Sequence, residues 1–318
     1  MHLRVDARRK LKIWFQNNKG WVYLLPILTL MVIFTFYPLI KTILISFDPT
    51  FRRDIQTLSP GSFSFDNYRA LFAEHSDFGL ALKNTALIVF VTVPLSTMIA
   101  LGICVSLMSV KRIRSFFQTI FFLPYITNTI AIGLVFAVLF DYQSGLVNSF
   151  LGLFGIGKTN WLNPAAVGQH GYAAATDGAM RAVTLFYITW SGLPFKILIF
   201  MGALQGINKQ YYDAAKIDGT SSWRTFYKIT VPLISPMILY VVITSLIGAF
   251  KTYAAVIGLF NDPTLRARMN TVVGYVYDKL ADSGSGYAQG AAGAVVLFLI
   301  ILALTFVSTW ASKKKVHY

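Results

Sequence analysis

Apolar residues in this chain do not alternate with polar ones at the period of a surface helix or strand; they run on. Six stretches, near 21–47, 81–108, 116–140, 183–204, 233–260 and 287–311, reach the roughly 20 residues that a helix needs to cross the hydrocarbon core of a bilayer. Five carry almost no charge, and the one in the middle of the chain carries a single lysine, Lys196. The pattern predicts an all-α membrane protein of six transmembrane helices over 21–311, with short tails at 1–20 and 312–318.

Composition agrees with that pattern. Hydrophobic residues make up 55% of the 318 and charged residues only 13%, where soluble domains carry roughly 25%. A net charge of +15 would suit a nucleic-acid partner, but in so apolar a chain the basic excess reads as a topological signal. Lys and Arg concentrate in the N-terminal tail (Arg4, Arg8, Arg9, Lys10, Lys12, Lys19), the second connection (Lys111, Arg112, Arg114), the fourth (Lys209, Lys216, Arg224, Lys228) and the C-terminal tail (Lys313, Lys314, Lys315). Ten of the thirteen acids lie in the alternate loops. Both termini and the even-numbered connections are therefore expected in the cytoplasm. The run from Trp21 to Phe47 is too long for a signal-peptide core and lacks a small-x-small cleavage site, so it reads as an uncleaved first helix. The single cysteine, Cys104, leaves no internal disulfide or Cys-rich metal site and reads as a packing residue.

After the third span the chain spells GLFGIGKT, Gly152–Thr159, which satisfies the phosphate-binding pattern G-x-x-x-x-G-K-[ST]. A working loop of that kind needs a buried strand before it and a helix after it, so that backbone N–H groups converge on the phosphates. Here a membrane span precedes it, the helix-breaking Asn163-Pro164 follows, and the charge count places Lys158 outside the cell. The spelling is expected to be coincidence, and the chain itself is expected to bind no nucleotide or metal.

The fourth connection is the longest, Ile207 to Pro236. Gln210 to Lys216 favours helix, Gly219 suits the left-handed position at a helix end, and Ser221 or Ser222 can cap a second short helix through Thr230. Within it, Asp213-Ala214-Ala215, Gly219 and Ile229-Thr230-Val231-Pro232 are similar to the EAA loop, E-A-A-x3-G-x9-I-x-L-P, of inner-membrane permeases of binding-protein-dependent ABC importers. Asp213 stands where Glu is usual and Val231 where Leu is usual. The resemblance implies that Asp213, Ala214, Ala215, Asp218, Gly219, Ile229 and Pro232, in a coupling loop over 205–232, dock on a cytoplasmic ATPase. The small alanines would allow close approach of a partner, and the acids would meet basic groups. An amphipathic helix lying on lipid would use Tyr211, Tyr212, Trp223 and Phe226 in much the same way, but would not require the fixed spacing.

Further stretches resemble carbohydrate permeases of the maltose and glycerol-3-phosphate type: LLPILTLMVIFTFYPLIKTILISF, GLVNSFLGLFGIGKTNWLNP, SLIGAFKTY and GYAQGAAGAVV. The first loop lacks the inserted folded domain of enteric maltose permeases. The resemblance implies the type I ABC importer permease fold and a bacterial cytoplasmic membrane. It also implies a second, different permease, an ATPase dimer that holds ATP and magnesium, and an extracytoplasmic solute-binding protein.

No acid or histidine falls inside a span, so the chain offers no proton relay. A lysine at a helix centre costs roughly 2.5–3.5 kcal/mol against lipid, so Lys196 and Lys251 are expected to face protein or water. Sugars stack on aromatic rings and hydrogen-bond through hydroxyls, which makes Asn128, Tyr187, Trp190 and Tyr253, with Thr127 and Ser191, candidates for the solute path. Gly290 and Gly293, among four alanines, read as a helix-packing face. The rival function is a carrier or channel that works without an ATPase; it accounts for the spans and leaves the EAA-like loop without a purpose. Between a saccharide and a phosphorylated polyol, the family resemblance favours the saccharide.

Overall fold

A computed structural model describes residues 19–52, 54, 57–109, 114–163, 176–282 and 286–313. The tail charges before Lys19, Lys111 and Arg112, and the lysines after Lys313 lie outside the described residues. Every element of regular structure among the described residues is helical. Four helices are long and apolar enough to cross a membrane as they stand: Tyr23–Ser46, Asp77–Met108, Asp177–Gln205 and Gly286–Trp310. Two bent pairs bring the number of spans to as many as six.

The first span comprises α1 (Lys19–Met31) and α2 (Tyr37–Ser46), joined by a π-turn at Val32–Phe36. A short α3 (Asp66–Leu71) precedes α4 (Asp77–Ser109). The third apolar stretch is two helices where the sequence predicts one: α5 (Arg114–Ile126) and α6 (Thr129–Leu139) meet at 101°. Asn128 makes the break. Its backbone is extended and its side-chain oxygen accepts the N–H groups of Ile130 and Ala131, which ends one helix and caps the next. After α7 (Leu146–Gly152), the fourth span runs through α8 (Asp177–Ser191) and α9 (Leu193–Gln205) with an interruption at Gly192. It begins at Asp177, earlier than the expected 183, because Thr176 caps it.

The fourth connection holds α10 (Lys209–Ile217), α11 (Ser222–Thr225), a π-turn Phe226–Thr230 and α12 (Val231–Leu233). The chain then bends by 70° into α13 (Ser235–Phe250). The fifth span therefore stops at Phe250, ten residues short of the expected 260. Lys251 and Thr252 leave the helix, and α14 (Ala254–Leu259) turns aside to pack on α6. The chain closes with α15 (Pro263–Met269), α16 (Val272–Ala281) and α17 (Gly286–Lys313).

Helix α4 is the axis of the bundle, in contact with α8, α9, α13 and α16. Its inward stripe includes Phe78, Ala81, Val89, Val93, Ala100 and Cys104, and mixed among them are Asn84, Thr85, Thr92, Ser96 and Thr97, all buried. Phe90, Leu95 and Met98 point outward. This arrangement suits a membrane, where apolar side chains gain nothing by leaving lipid and polar ones gain by meeting each other. Asn84 Nδ2 donates to the carbonyls of Arg268 and Asn270, both at 3.0 Å, and Val272 N donates to Thr85 Oγ1 at 3.0 Å. The start of α16 is thereby tied to α4. Cys104 Sγ reaches the Ile197 carbonyl at 3.4 Å across α4 and α9. The outer side of α1 is exposed throughout its apolar length.

Two contacts are close because glycine permits them. A Cβ on Gly133 of α6 would lie 2.7 Å from Gly258 of α14, and one on Gly258 would lie 2.6 Å from the Ile130 carbonyl. Replacing either by Val is expected to cost about 1–3 kcal/mol from overpacking, read as a lower Tm of the purified protein in mild detergent. Gly202→Ala serves as the control, since a Cβ there meets nothing within 4 Å.

Outside the spans, Asp48 is fully buried beneath the first loop. Burial raises its carboxyl pKa, but hydrogen bonds from Thr50, Ser59 and Ser62 outweigh that and hold it below the ordinary 3.8. The native state thus favours the ionised form, which contributes stability above that value and loses it as pH falls below. Melts of the wild type and Asp48→Asn should differ fully near neutral pH and converge as the pH drops below 3.8.

Candidate functional site

The candidate residues point to two regions, the fourth connection and a cavity inside the bundle. In the fourth connection, Asn208 caps α10 by accepting Gln210 N at 3.0 Å. The helix ends in a pair of reversed hydrogen bonds, Thr220 N to the Ala215 carbonyl at 2.9 Å and Gly219 N to the Lys216 carbonyl at 3.1 Å. That is a Schellman stop, and it places Gly219 at φ +64°, where a Cβ is strained. Ser221 then caps α11. The hydroxyls of Tyr212 and Thr230 meet at 3.2 Å and tie the two arms together.

This geometry sorts the sequence candidates by face. Ala215 is buried, Ile229 is half-buried, and Asp213, Ala214, Asp218, Gly219 and Pro232 are exposed. Ile217, among the most exposed apolar side chains in the protein, lies beside them, and the rings of Trp223 and Tyr227 stack at 5.7 Å on the exposed second arm. No salt bridge among the described residues engages Asp213 or Asp218. The loop offers a rigid surface of small, apolar and acidic groups.

The cavity, about 300 Å³, lies where α4, α5, α8, α9 and α13 converge. Lys196 stands in its wall, 4% exposed, with Nζ donating to Ser96 Oγ at 2.8 Å. The Ser96 hydroxyl in turn donates to the Thr92 carbonyl. Ser191 lines the same space, as do Thr92, Thr244, Ser245 and Thr252. Sequence reasoning missed these α4 and α13 hydroxyls; their signal was the i, i+4 spacing of Thr92 and Ser96, which shares one helix face.

The other candidates go elsewhere. Tyr187 is 1% exposed, and its hydroxyl donates to the Thr129 carbonyl at 2.6 Å, which fastens α8 to the start of α6. Trp190 is half-buried against Phe136 at 5.2 Å. Asn128 is exposed and occupied with its cap, and its neighbour Tyr125 lines the cavity instead. Lys251 is exposed at the C-terminal end of α13, where the helix dipole favours a cation. Tyr253 stacks flat on Tyr277 at 4.4 Å. Gly290 and Gly293 of α17 face Lys279, Val276, Tyr275 and Phe78 at close range.

The GLFGIGKT stretch follows α7, a helix rather than a strand. Asn148 organises it, donating to the carbonyls of Asp141, Tyr142 and Thr159 and accepting from Thr159 N and Trp161 Nε1. Lys158 Nζ donates to the Gln143 carbonyl at 3.2 Å. Among the described residues no three His, Cys, Asp or Glu side chains gather to hold a metal ion.

The sequence pattern of the family described as "Binding-protein-dependent transport system inner membrane component" matches residues 93–316. The arabinooligosaccharides transport system permease protein AraP of Bacillus subtilis (strain 168) is 32% identical, over 92% of this chain and 89% of its own length. The lactose transport system permease protein LacF of Rhizobium radiobacter is 26% identical over 98% of this chain and 100% of its own. Among solved structures, a bacterial alginate ABC transporter in complex with an alginate pentasaccharide-bound periplasmic protein contains a chain of the same fold. It aligns at TM-score 0.75 with 22% identity, over 94% of this chain and 97% of that one.

Tyr187→Phe removes the hydrogen bond to the Thr129 carbonyl and is expected to lower stability by about 0.5–1.5 kcal/mol. A fall in Tm with unchanged half-saturation for solute would assign the hydroxyl to packing; a weakened solute response at unchanged Tm would assign it to the path.

Proposed function

The chain belongs to the binding-protein-dependent transport system inner membrane component family, and on that premise we propose that it forms one transmembrane half of an ATP-driven importer for a sugar or oligosaccharide. The observation that carries this reading is the fourth connection, with a capped helix, a Schellman turn at Gly219 and a second capped arm that leave Asp213, Ala214 and Asp218 exposed on one rigid surface. A rigid, exposed, small-residue helix between two spans is suited to receive a push from a partner and pass it on.

In this reading the connection faces the cytoplasm together with both termini, as the distribution of Lys and Arg favours. A cytoplasmic ATPase dimer holds ATP and magnesium and docks on Asp213, Ala214, Ala215, Asp218, Gly219, Ile229 and Pro232. A second, different permease completes the pathway. A solute-binding protein delivers its load to the outer loops, as the periplasmic protein in the alginate complex supports. Closure of the ATPases displaces α10, and α9, which runs directly into it, moves with it. The cavity on the path of α9 is where a solute would pass, with Lys196 and Ser191 in its wall and Trp190 outside it, packed on Phe136. Asn128, Lys251 and Tyr253 would meet the solute only beyond the cavity, at the breaks next to Tyr125 and Thr252. Saccharide specificity is supported by the names of AraP and LacF.

Affinity purification of the tagged chain from its native membrane should bring an ATPase and a second permease in fixed ratio. Gly219→Leu, which strains the turn, should abolish solute-stimulated ATP hydrolysis while the variant still inserts. A chain that purifies alone and moves solute without ATP would establish the carrier instead.

A further inference from the structure

We propose that the cavity between α4, α9 and α13 binds an anionic group, a carboxylate or phosphate carried by the solute, with Lys196 as its counter-ion. The proposal rests on the reading of this cavity as part of the solute path.

Lys196 is buried and yet has one hydrogen-bond partner, Ser96, among the described residues. No carboxylate among the described residues pairs with it. A buried ammonium without a counter-charge is costly, and its remaining N–H groups need acceptors. Lys196 lines the cavity, and Gly192 lies alongside, where a Cβ would already touch Nζ at 3.4 Å, so the lack of a side chain there leaves room at the ammonium. The surrounding wall supplies no negative partner. No Asp, Glu, Asn or Gln lines the cavity, and its polar side chains are hydroxyls and Lys196 itself. Ser96, Ser191 and Thr244 give their protons to backbone carbonyls. The hydroxyls of Thr92, Ser245 and Thr252 engage no side-chain or backbone partner among the described residues, so they remain as donors facing the same space. One cation and several uncommitted O–H donors, with no anionic acceptor, match a carboxylate or phosphate better than a neutral sugar, whose own hydroxyl protons need acceptors.

The test uses the full-length chain purified with whatever subunits accompany it. Thermal melts in mild detergent are recorded with glycerol 3-phosphate against glycerol, and with glucuronate against glucose. At least one anion should raise the Tm where its neutral counterpart does not, and the active pair tells phosphate from carboxylate. Lys196→Met should weaken the half-saturating concentration roughly tenfold or more, the loss expected of one charge-assisted hydrogen bond, and Lys196→Arg should retain most of it. Should Lys196→Met fail to fold, Thr252→Val, at the helix end, should weaken the same anion several-fold while Thr264→Val, remote from the cavity, leaves it unchanged. Equal shifts by neutral and anionic probes, no shift with either anion, or a shift that survives both cavity variants overturns the proposal. A preparation that contains its ATPase yet lacks the anion response overturns the cavity assignment alone. One that lacks an ATPase yet keeps a Lys196-dependent response overturns the importer reading and leaves the cavity standing.

Discussion

A polar group placed in hydrocarbon must find its partner within the protein, because no water is there to serve. The architecture follows from that constraint most visibly along α4. Leu87, Phe90 and Met98 are left to the surroundings, while Asn84, Thr85 and Ser96 turn inward and join α4 to the α15–α16 junction and to α9. Individually such bonds are modest. Their weight lies in direction: an amide or hydroxyl fixes which face of α4 meets which neighbour, where leucines alone would accept many rotations.

The same constraint explains where the helices break. Irregular backbone at membrane depth is tolerated when protein or a cavity satisfies it. The bend at Asn128 is closed by the residue's own side chain, and Tyr187 takes the Thr129 carbonyl beside it. The end of α13 is held by Thr271, whose hydroxyl donates to the Thr252 carbonyl at 2.7 Å. Both breaks lie next to cavity residues, Tyr125 and Thr252, so these two backbone irregularities flank the space that Lys196 lines.

Helix α9 joins the cavity to the fourth connection. Lys196 stands near its beginning, and its last residue, Gln205, leads through Gly206 to the cap of α10. Buried Ile197, Phe200, Met201 and Leu204 lock the helix against α4 and α13, so it is built to move as a rod rather than to bend. Displacement of the fourth connection would reach the cavity wall without any further relay.

The sequence by itself determined the class of fold, since runs of about 20 apolar residues have one stable solution in a bilayer. It also determined the outline of the fourth connection, because caps, a left-handed glycine and short spacing are local properties written in adjacent residues. Asn208, Gly219 and Ser221 did what their types dictate. The places where spans break were not legible: Asn128 read as a candidate solute contact, and Pro124, which lies inside α5, fits a continuous helix as well as a broken one. Which polar residue would line the internal cavity and which would tether two helices was decided by tertiary structure alone. Tyr187 and Lys196 look alike in one dimension, each a polar group in an apolar run. Only the packing of α6 against α8 turned Tyr187 onto a carbonyl, and only the meeting of α4, α9 and α13 left Lys196 at an open wall, because a side chain's partner in a membrane bundle is set by contacts between segments far apart in the chain.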